Sequence, residues 1–205
     1  MAGIPKHLSN NMSTLAEAFR RLLGVLDRME IPYEVGGSVA SSAHGIPRTT
    51  LDVDIVVDLR PEHIDTFADE LQPEFYADAA QIREAFARGR AANLIHIGSV
   101  WKFDLFPLRK DEYSKQEFAR RAFREVRPDG GEAIECVVAS VEDTILRKLE
   151  RYRAGGEVSE RQWNDIRGVC RAAGGHMDVP YLRRWAADLK VEHLLEKLLG
   201  QNPTG

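Results

Sequence analysis

The sequence has few cysteines, no long apolar run and no large excess of either charge. Its two cysteines, Cys136 and Cys170, stand far apart, and neither is spaced with another Cys or a His pair as a metal site requires. That spacing excludes a Cys/His metal module and leads us to expect two buried thiols in a cytosolic protein. No apolar stretch approaches the roughly 18 residues needed to cross a bilayer, so no membrane partner is expected. The opening MAGIPKHLSNNMSTLAEAF lacks a long apolar core followed by a small-residue cleavage site, and no secretory signal is expected from it. Net charge is −4, from 28 basic against 32 acidic residues, which argues against a chain whose main task is coating nucleic acid. Two local basic runs remain, RRAFREVR at 120–127 and LRKLERYR at 146–153. Internal repeats and low-complexity segments are also missing.

What is present is a soluble globular composition, 43% hydrophobic and 29% charged over 205 residues, enough for one ordinary domain plus an appendage. Apolar residues recur at helical spacing from Ser13 to Met29 (Leu15, Phe19, Leu22, Leu23, Leu26), and Ile31-Pro32 ends that helix. Tyr33-Glu34-Val35 begins a short strand that runs into Gly36-Gly37-Ser38. The small residues 39–44 suit a close-packed helix stopped by Gly45. LDVDIVVDL at 51–59 reads as a strand with Val53, Ile55 and Val57 on one face and Asp52 and Asp54 on the other. Pro61 opens a helix to Leu71, and residues 77–88 form another. Residues 94–97 and 100–106 read as a strand pair joined by Gly98-Ser99, with Lys102 and Asp104 on one face of the second strand. Residues 133–139 form a further strand.

After Ser140 only helical patterns appear, over 141–154, from a Ser159/Gln162 capping box to Gly174, and over 180–190 and 192–199. The expected division is an α+β unit over residues 1–140 and a helical unit over 141–205.

Two aspartates at i and i+2 of a strand put both carboxylates on one face, where they can share a hard divalent cation. Alone, that pair fits solvated strand carboxylates as well. A third carboxylate on a neighbouring strand makes the metal reading stronger. Asp104 is the candidate, because an unpaired charge in an otherwise apolar strand is costly. Three such groups could hold two metals for in-line displacement at phosphorus. The Gly-Gly-Ser turn supplies the other half: glycines let a phosphate approach backbone N–H groups, and the Ser38 hydroxyl adds a donor. By itself this turn can also be purely structural.

Together, Val35-Gly36-Gly37-Ser38, a spacer, Asp52-Val53-Asp54 and the later Asp104 resemble the nucleotidyltransferase superfamily, with its hG[GS] turn, DxD pair and third Asp on a further strand. The match spans roughly residues 30–110. PRTT at 47–50 and VEDTILRKLERYRAGGEVSERQWNDI at 141–166 add a resemblance to small bacterial minimal and AbiEii-type toxin members.

The resemblance implies a DNA polymerase β-like fold, a strongly twisted mixed sheet with helices on one side. It also implies transfer of a nucleotidyl group from an NTP such as ATP to a hydroxyl acceptor, with two Mg²⁺ ions, Mn²⁺ being the alternative. Asp52 and Asp54 would ligate metal, and Asp104 would complete the second site and help deprotonate the acceptor. Gly36, Gly37 and Ser38 would take the β,γ-phosphates, with Arg48, Thr49 and Lys148 within reach of the triphosphate.

Arg147, Arg151 and Arg153 are expected to solvate a helix face, and Lys148 stands evenly between that role and the functional one. His44 is read as a helix-end residue, His96 as structural, and Trp163 and Trp185 as core. Two other functions stay open: a non-catalytic nucleotide- or RNA-binding module of the same fold, and the toxin of a toxin–antitoxin pair acting on RNA or a protein hydroxyl.

Overall fold

The structure is a computed structural model that describes residues 14–44, 52–99, 101–128 and 131–201. Helix α1 (Leu15–Arg28) opens on a reciprocal capping box between Thr14 and Glu17, and its Leu and Phe positions are buried. Strand β1 (Tyr33–Val35) leads into the short helix α2 (Gly37–Ala43). Strand β2 (Asp52–Val57), rich in β-branched residues, follows. A single 3-10 turn at Pro61–His63 feeds α3 (Ile64–Leu71). Then come β3 (Phe75–Tyr76), α4 (Ala79–Ala87), β4 (Ala92–His96), β5 (Lys102–Pro107), α5 (Glu112–Arg120), β6 (Ala122–Val126) and β7 (Ile134–Val138). Helices α6 (Val141–Ala154), α7 (Glu160–Ala173), α8 (Val179–Asp188) and α9 (Glu192–Gln201) complete the described chain.

The strands form one seven-stranded mixed sheet in the order β3-β4-β5-β2-β1-β7-β6. The central β2 runs antiparallel to β1 and parallel to β5. Register places Asp54 opposite Asp104 and Asp52 opposite Lys102. Val53, Ile55, Val57, Phe103 and Leu105 point the other way into a buried core with α1 and α3. Phe103 sits at its centre, with ring centroids 5.9 Å from Phe19 and 5.7 Å from Phe75.

A second apolar cluster joins Tyr113 of α5 to residues of α6–α9, among them Trp185, with Trp163 packed against its edge. Cys136 and Cys170 are buried free thiols, one in each cluster. His44 ends α2 with Nε2 3.0 Å from the Ala139 carbonyl, and buried His96 meets Ser99 Oγ at 2.8 Å. Ser159 caps α7 by accepting from the Gln162 N–H. No helix among the described residues is long and apolar enough to cross a membrane.

Helices flank both faces of the sheet, not one. While α1 and α3 cover the apolar face, α6 stands over the face carrying Asp54, with Arg151 Nη1 3.8 Å from Asp54 Oδ2. Three elements were not anticipated: β3, α5 and β6. β3 has two residues, too few for a period to show. The pattern of α5 and β6 is masked by charge, in EYSKQEFAR and AFREV.

Phe103→Ala should lower stability by about 3–5 kcal/mol, because a large ring leaves a fully buried three-element contact. A urea unfolding series on the two proteins measures it.

Candidate active site

The site is built where β1 turns into α2. Val35 ends β1 inside the core, the Gly36 N–H donates to the Asp54 carbonyl at 2.9 Å, and Gly37 takes φ +58°. A Cβ at Gly37 would overlap the Asp54 carboxyl group outright. Glycine is therefore required twice here, for the left-handed backbone and for the closeness of the carboxylate. The turn and the acidic strand are thus a single packed unit.

The four side chains Asp52, Asp54, Lys102 and Asp104 lie on one sheet face in two facing pairs, on strands about 4.8 Å apart. Asp54 is held above the usual carboxylate range, first by burial and then by the negative charges of Asp104 and Asp52, against the pull of Arg151. Asp104 accepts from Lys102 Nζ at 3.0 Å and from the Asn93 side-chain amide of β4. That bond to Asp104 holds the Lys102 ammonium above its usual range.

The carboxylate donor set is the all-oxygen kind that a hard divalent cation prefers, and the charges of Asp104 and Asp52 add to burial in raising Asp54. In this structure Lys102 and Arg151 are the cations beside these carboxylates. No three His, Cys, Asp or Glu side chains among the described residues are gathered into a ligand shell.

A cavity of about 650 Å³ opens between the sheet and helices α5–α7. Gly36, Gly37, Ser38, Asp54 and Lys148 line it, whereas Asp52 and Asp104 stand outside its lining. Arg48 and Thr49 lie outside the described residues. Lys148 is not on a solvated face: its side chain is 15% exposed and pairs with Asp165 at 2.6 Å on the cavity wall.

Arg147 departs furthest from expectation. Its guanidinium grips Glu117 of α5 at 2.9 and 3.0 Å, donates to Ser114 Oγ at 2.8 Å and to Glu150 at 2.9 Å, and lies over the Tyr113 ring. The surrounding carboxylates, Glu117 foremost, outweigh burial and hold Arg147 firmly protonated. Arg120 pairs with Glu142 at 3.0 Å, and Tyr181 donates to fully buried Asp143 at 2.7 Å. These bonds tie α5 to α6 and α8 through charged groups. In one dimension such groups look like solvated helix faces, which is why sequence reasoning misses them.

Glu34 of β1 also escapes sequence reasoning. It is 2% exposed, lines the cavity, and its Oε2 has no hydrogen-bond partner. Burial pushes it up to about 8, helped by the charges of Glu117 and Asp143 and opposed by Arg147 and Arg121. A charged residue between two apolar ones, two positions before the glycine pair, is the signal that could have found it.

No protein-family model matches the chain, and no curated protein matches it. Solved structures do. An antigenic nucleotidyltransferase-like protein from Paracoccidioides brasiliensis is similar at 18% identity and TM-score 0.52, over 94% of this chain and 91% of that one. ANT(2'')-Ia in complex with adenylyl-2''-tobramycin is similar at 17% identity and TM-score 0.50, over 88% of this chain and 99% of that one. The chain has the fold of the nucleotidyltransferase superfamily, an α+β, polymerase β-like architecture.

Two outcomes follow from the buried charges. Arg147→Ala should cost about 3–5 kcal/mol in urea unfolding, because it strands Glu117 uncompensated in the interior. At Glu34, the folded chain holds a proton that the unfolded chain releases near pH 4.5. Stability is therefore lost as pH rises from about 4.5 through about 8. A single such group gives a slope of at most about 1.4 kcal/mol for each step of one in pH. Glu34→Gln should remove that slope, as read from unfolding midpoints at pH 5 and pH 8.

Proposed function

We propose that the chain is a nucleotidyltransferase that moves an NMP group from an NTP to a hydroxyl acceptor and releases pyrophosphate. The observation that carries this reading is the apposition of Gly37 with Asp54, which puts backbone N–H groups and a carboxylate at one rim of a nucleotide-sized cavity. A structural turn needs no such closeness to an acidic strand. The β,γ-phosphates would lie along Gly36, Gly37 and Ser38, where the glycines leave room for close approach, the Gly36 N–H itself being taken by the Asp54 carbonyl. Lys148 and Arg151 extend from α6 toward the same space as further cations.

Asp52, Asp54 and Asp104 would hold divalent metal, Mg²⁺ by their oxygen chemistry, and the metal would neutralise charge on the phosphates. The acceptor oxygen attacks the α-phosphorus, the bond to the α,β-bridging oxygen breaks, and pyrophosphate leaves with that electron pair. The acceptor proton passes to the Asp104 carboxylate, which keeps unused lone pairs beside those taken by Asn93 and Lys102.

Residues 1–140 would form the catalytic unit, with 141–205 as a helical cover whose α6 closes the cavity. A small molecule is the favoured acceptor over RNA, because most cations of the basic runs are already paired with carboxylates of this chain. Arg120 and Arg127 pair with Glu142 and Glu125, and Arg147 with Glu117. The similar ANT(2'')-Ia, solved with an adenylylated tobramycin, agrees with that size of acceptor.

The test supplies Mg²⁺, each of the four NTPs and a panel of hydroxyl compounds, and measures pyrophosphate. Wild-type release should fall at least roughly a hundredfold in Asp54→Asn, with the unfolding midpoint retained. Equal turnover in the variant would sink the assignment.

A further inference from the structure

The sheet face that carries Asp54 and Asp104 does not end at β5. Asn93 of β4 is the register partner of Asp104, Ile95 is the partner of Lys102, and Tyr76 of β3 is the partner of Ile95. Residues directly opposite each other share a side of the sheet. Tyr76, Ile95, Lys102 and Asp52 therefore form one row, next to the row of Asn93, Asp104 and Asp54. Ile97 continues the alternation just past β4, its N–H donating to the Glu74 carbonyl at 2.9 Å. The alternate residues of β4, Ala92, Leu94 and His96, are buried on the opposite side.

Tyr76 is 50% exposed, Ile95 39% and Ile97 59%. Five large apolar side chains are exposed among the described residues, and these three of the five stand together within two strands of Asp104. Scattered singly, such residues need no explanation, but gathered beside a group of carboxylates they mark a contact surface. Gln81 Nε2 of α4 donates to the Tyr76 hydroxyl at 3.2 Å and steadies the ring at the outer end of the row. Asp104 stands outside the lining of the cavity that Gly37, Ser38 and Asp54 share. A donor held in that cavity leaves Asp104 to be approached over β4 and β3.

We propose that β3 and β4 form the acceptor platform, and that it takes a neutral hydroxyl compound with a flat apolar body in preference to a polycation. This rests on the nucleotidyltransferase reading above and adds the class of the acceptor. From Tyr76 to Asp104 is two strand spacings, about 10 Å. Two fused rings lying on Ile95 and against Tyr76 bring a hydroxyl at their far end to Asp104. Charge disfavours a polycation. A cationic body would meet the Lys102 ammonium beside Ile95 and no carboxylate from β3 or β4. Glu74, next to Ile97, is paired with Arg21, and Asp104 already accepts from Lys102 and Asn93.

The probe is 7-hydroxycoumarin, which is flat, fluorescent and neutral at pH 6.5, with tobramycin as the polycationic counterpart. Fluorescence anisotropy with the full chain, Mg²⁺ and a non-hydrolysable ATP analogue should show saturable binding of the coumarin. Ile95→Asp should weaken it roughly tenfold, by lost apolar contact and an added charge, with the unfolding midpoint retained. Val158→Asp, at an exposed apolar residue of the α6–α7 loop, should leave it unchanged. In the pyrophosphate assay Ile95→Asp should raise the KM for the coumarin by about the same factor and hold the KM for ATP. Equal binding by wild type and Ile95→Asp, or no saturable binding, overturns the platform; pyrophosphate release with other acceptors then leaves the nucleotidyltransferase reading standing. Release with tobramycin in preference to the coumarin overturns the acceptor class. If binding depends on Ile95 but no hydroxyl compound releases pyrophosphate from any NTP, the nucleotidyltransferase reading fails and the acceptor role with it. A dimer that Ile95→Asp turns into a monomer in sedimentation makes the patch a contact between copies and overturns the proposal.

Discussion

Everything at this site depends on the contact between Gly37 and the Asp54 carboxyl group. The chain turns from β1 into α2 through a left-handed residue at a place where no side chain fits. The Gly36 N–H is spent on the Asp54 carbonyl. This contact packs the turn against the acidic strand, and on the other side of β2 the pairing with β5 brings Asp104 opposite Asp54. A larger residue at Gly37 would displace the Asp54 carboxyl group from the rim of the cavity.

The opposite wall is held by different physics. Helix α5 and helices α6 and α8 meet through Arg147, Glu117, Arg120, Glu142, Asp143 and Tyr181. Such buried ion pairs add little stability compared with apolar packing, but they are costly to break singly. They fix one arrangement of the helices over the sheet. That arrangement puts Lys148 and Arg151 on the side of Asp54, and it buries Glu34 beneath two further carboxylates. One wall thus places positive charge beside Asp54 while burial at the floor raises the Glu34 carboxyl. The two environments lie two residues apart along β2, at Asp54 and at Val56 opposite Glu34.

Those parts of the fold with a clean period could be read directly. LDVDIVVDL alternates, and its apolar members are the buried ones. The helices at 15–28 and 141–154 repeat every three to four residues. The glycine pair and the aspartates could also be read, because each is a residue type with a narrow physical use. Hidden in sequence were α5, β6 and the roles of Arg147 and Glu34. In EYSKQEFAR and LRKLERYR, charged residues occupy positions that packing later buries, and hydrophobic periodicity carries no signal for a charge whose partner lies 30 residues away.

By itself, then, the sequence determined the elements with a clean period, the glycine turn, and the face on which Asp52, Asp54 and Asp104 stand. Strand alternation and backbone sterics act over a few residues and leave their mark in the order of the amino acids. Only the tertiary structure decided that Lys102 and Asn93 hold Asp104, that Lys148 pairs with Asp165, and that Glu34 is buried at the cavity floor. These depend on charge partners and on burial. Both are properties of the space between elements, and a linear sequence does not express them.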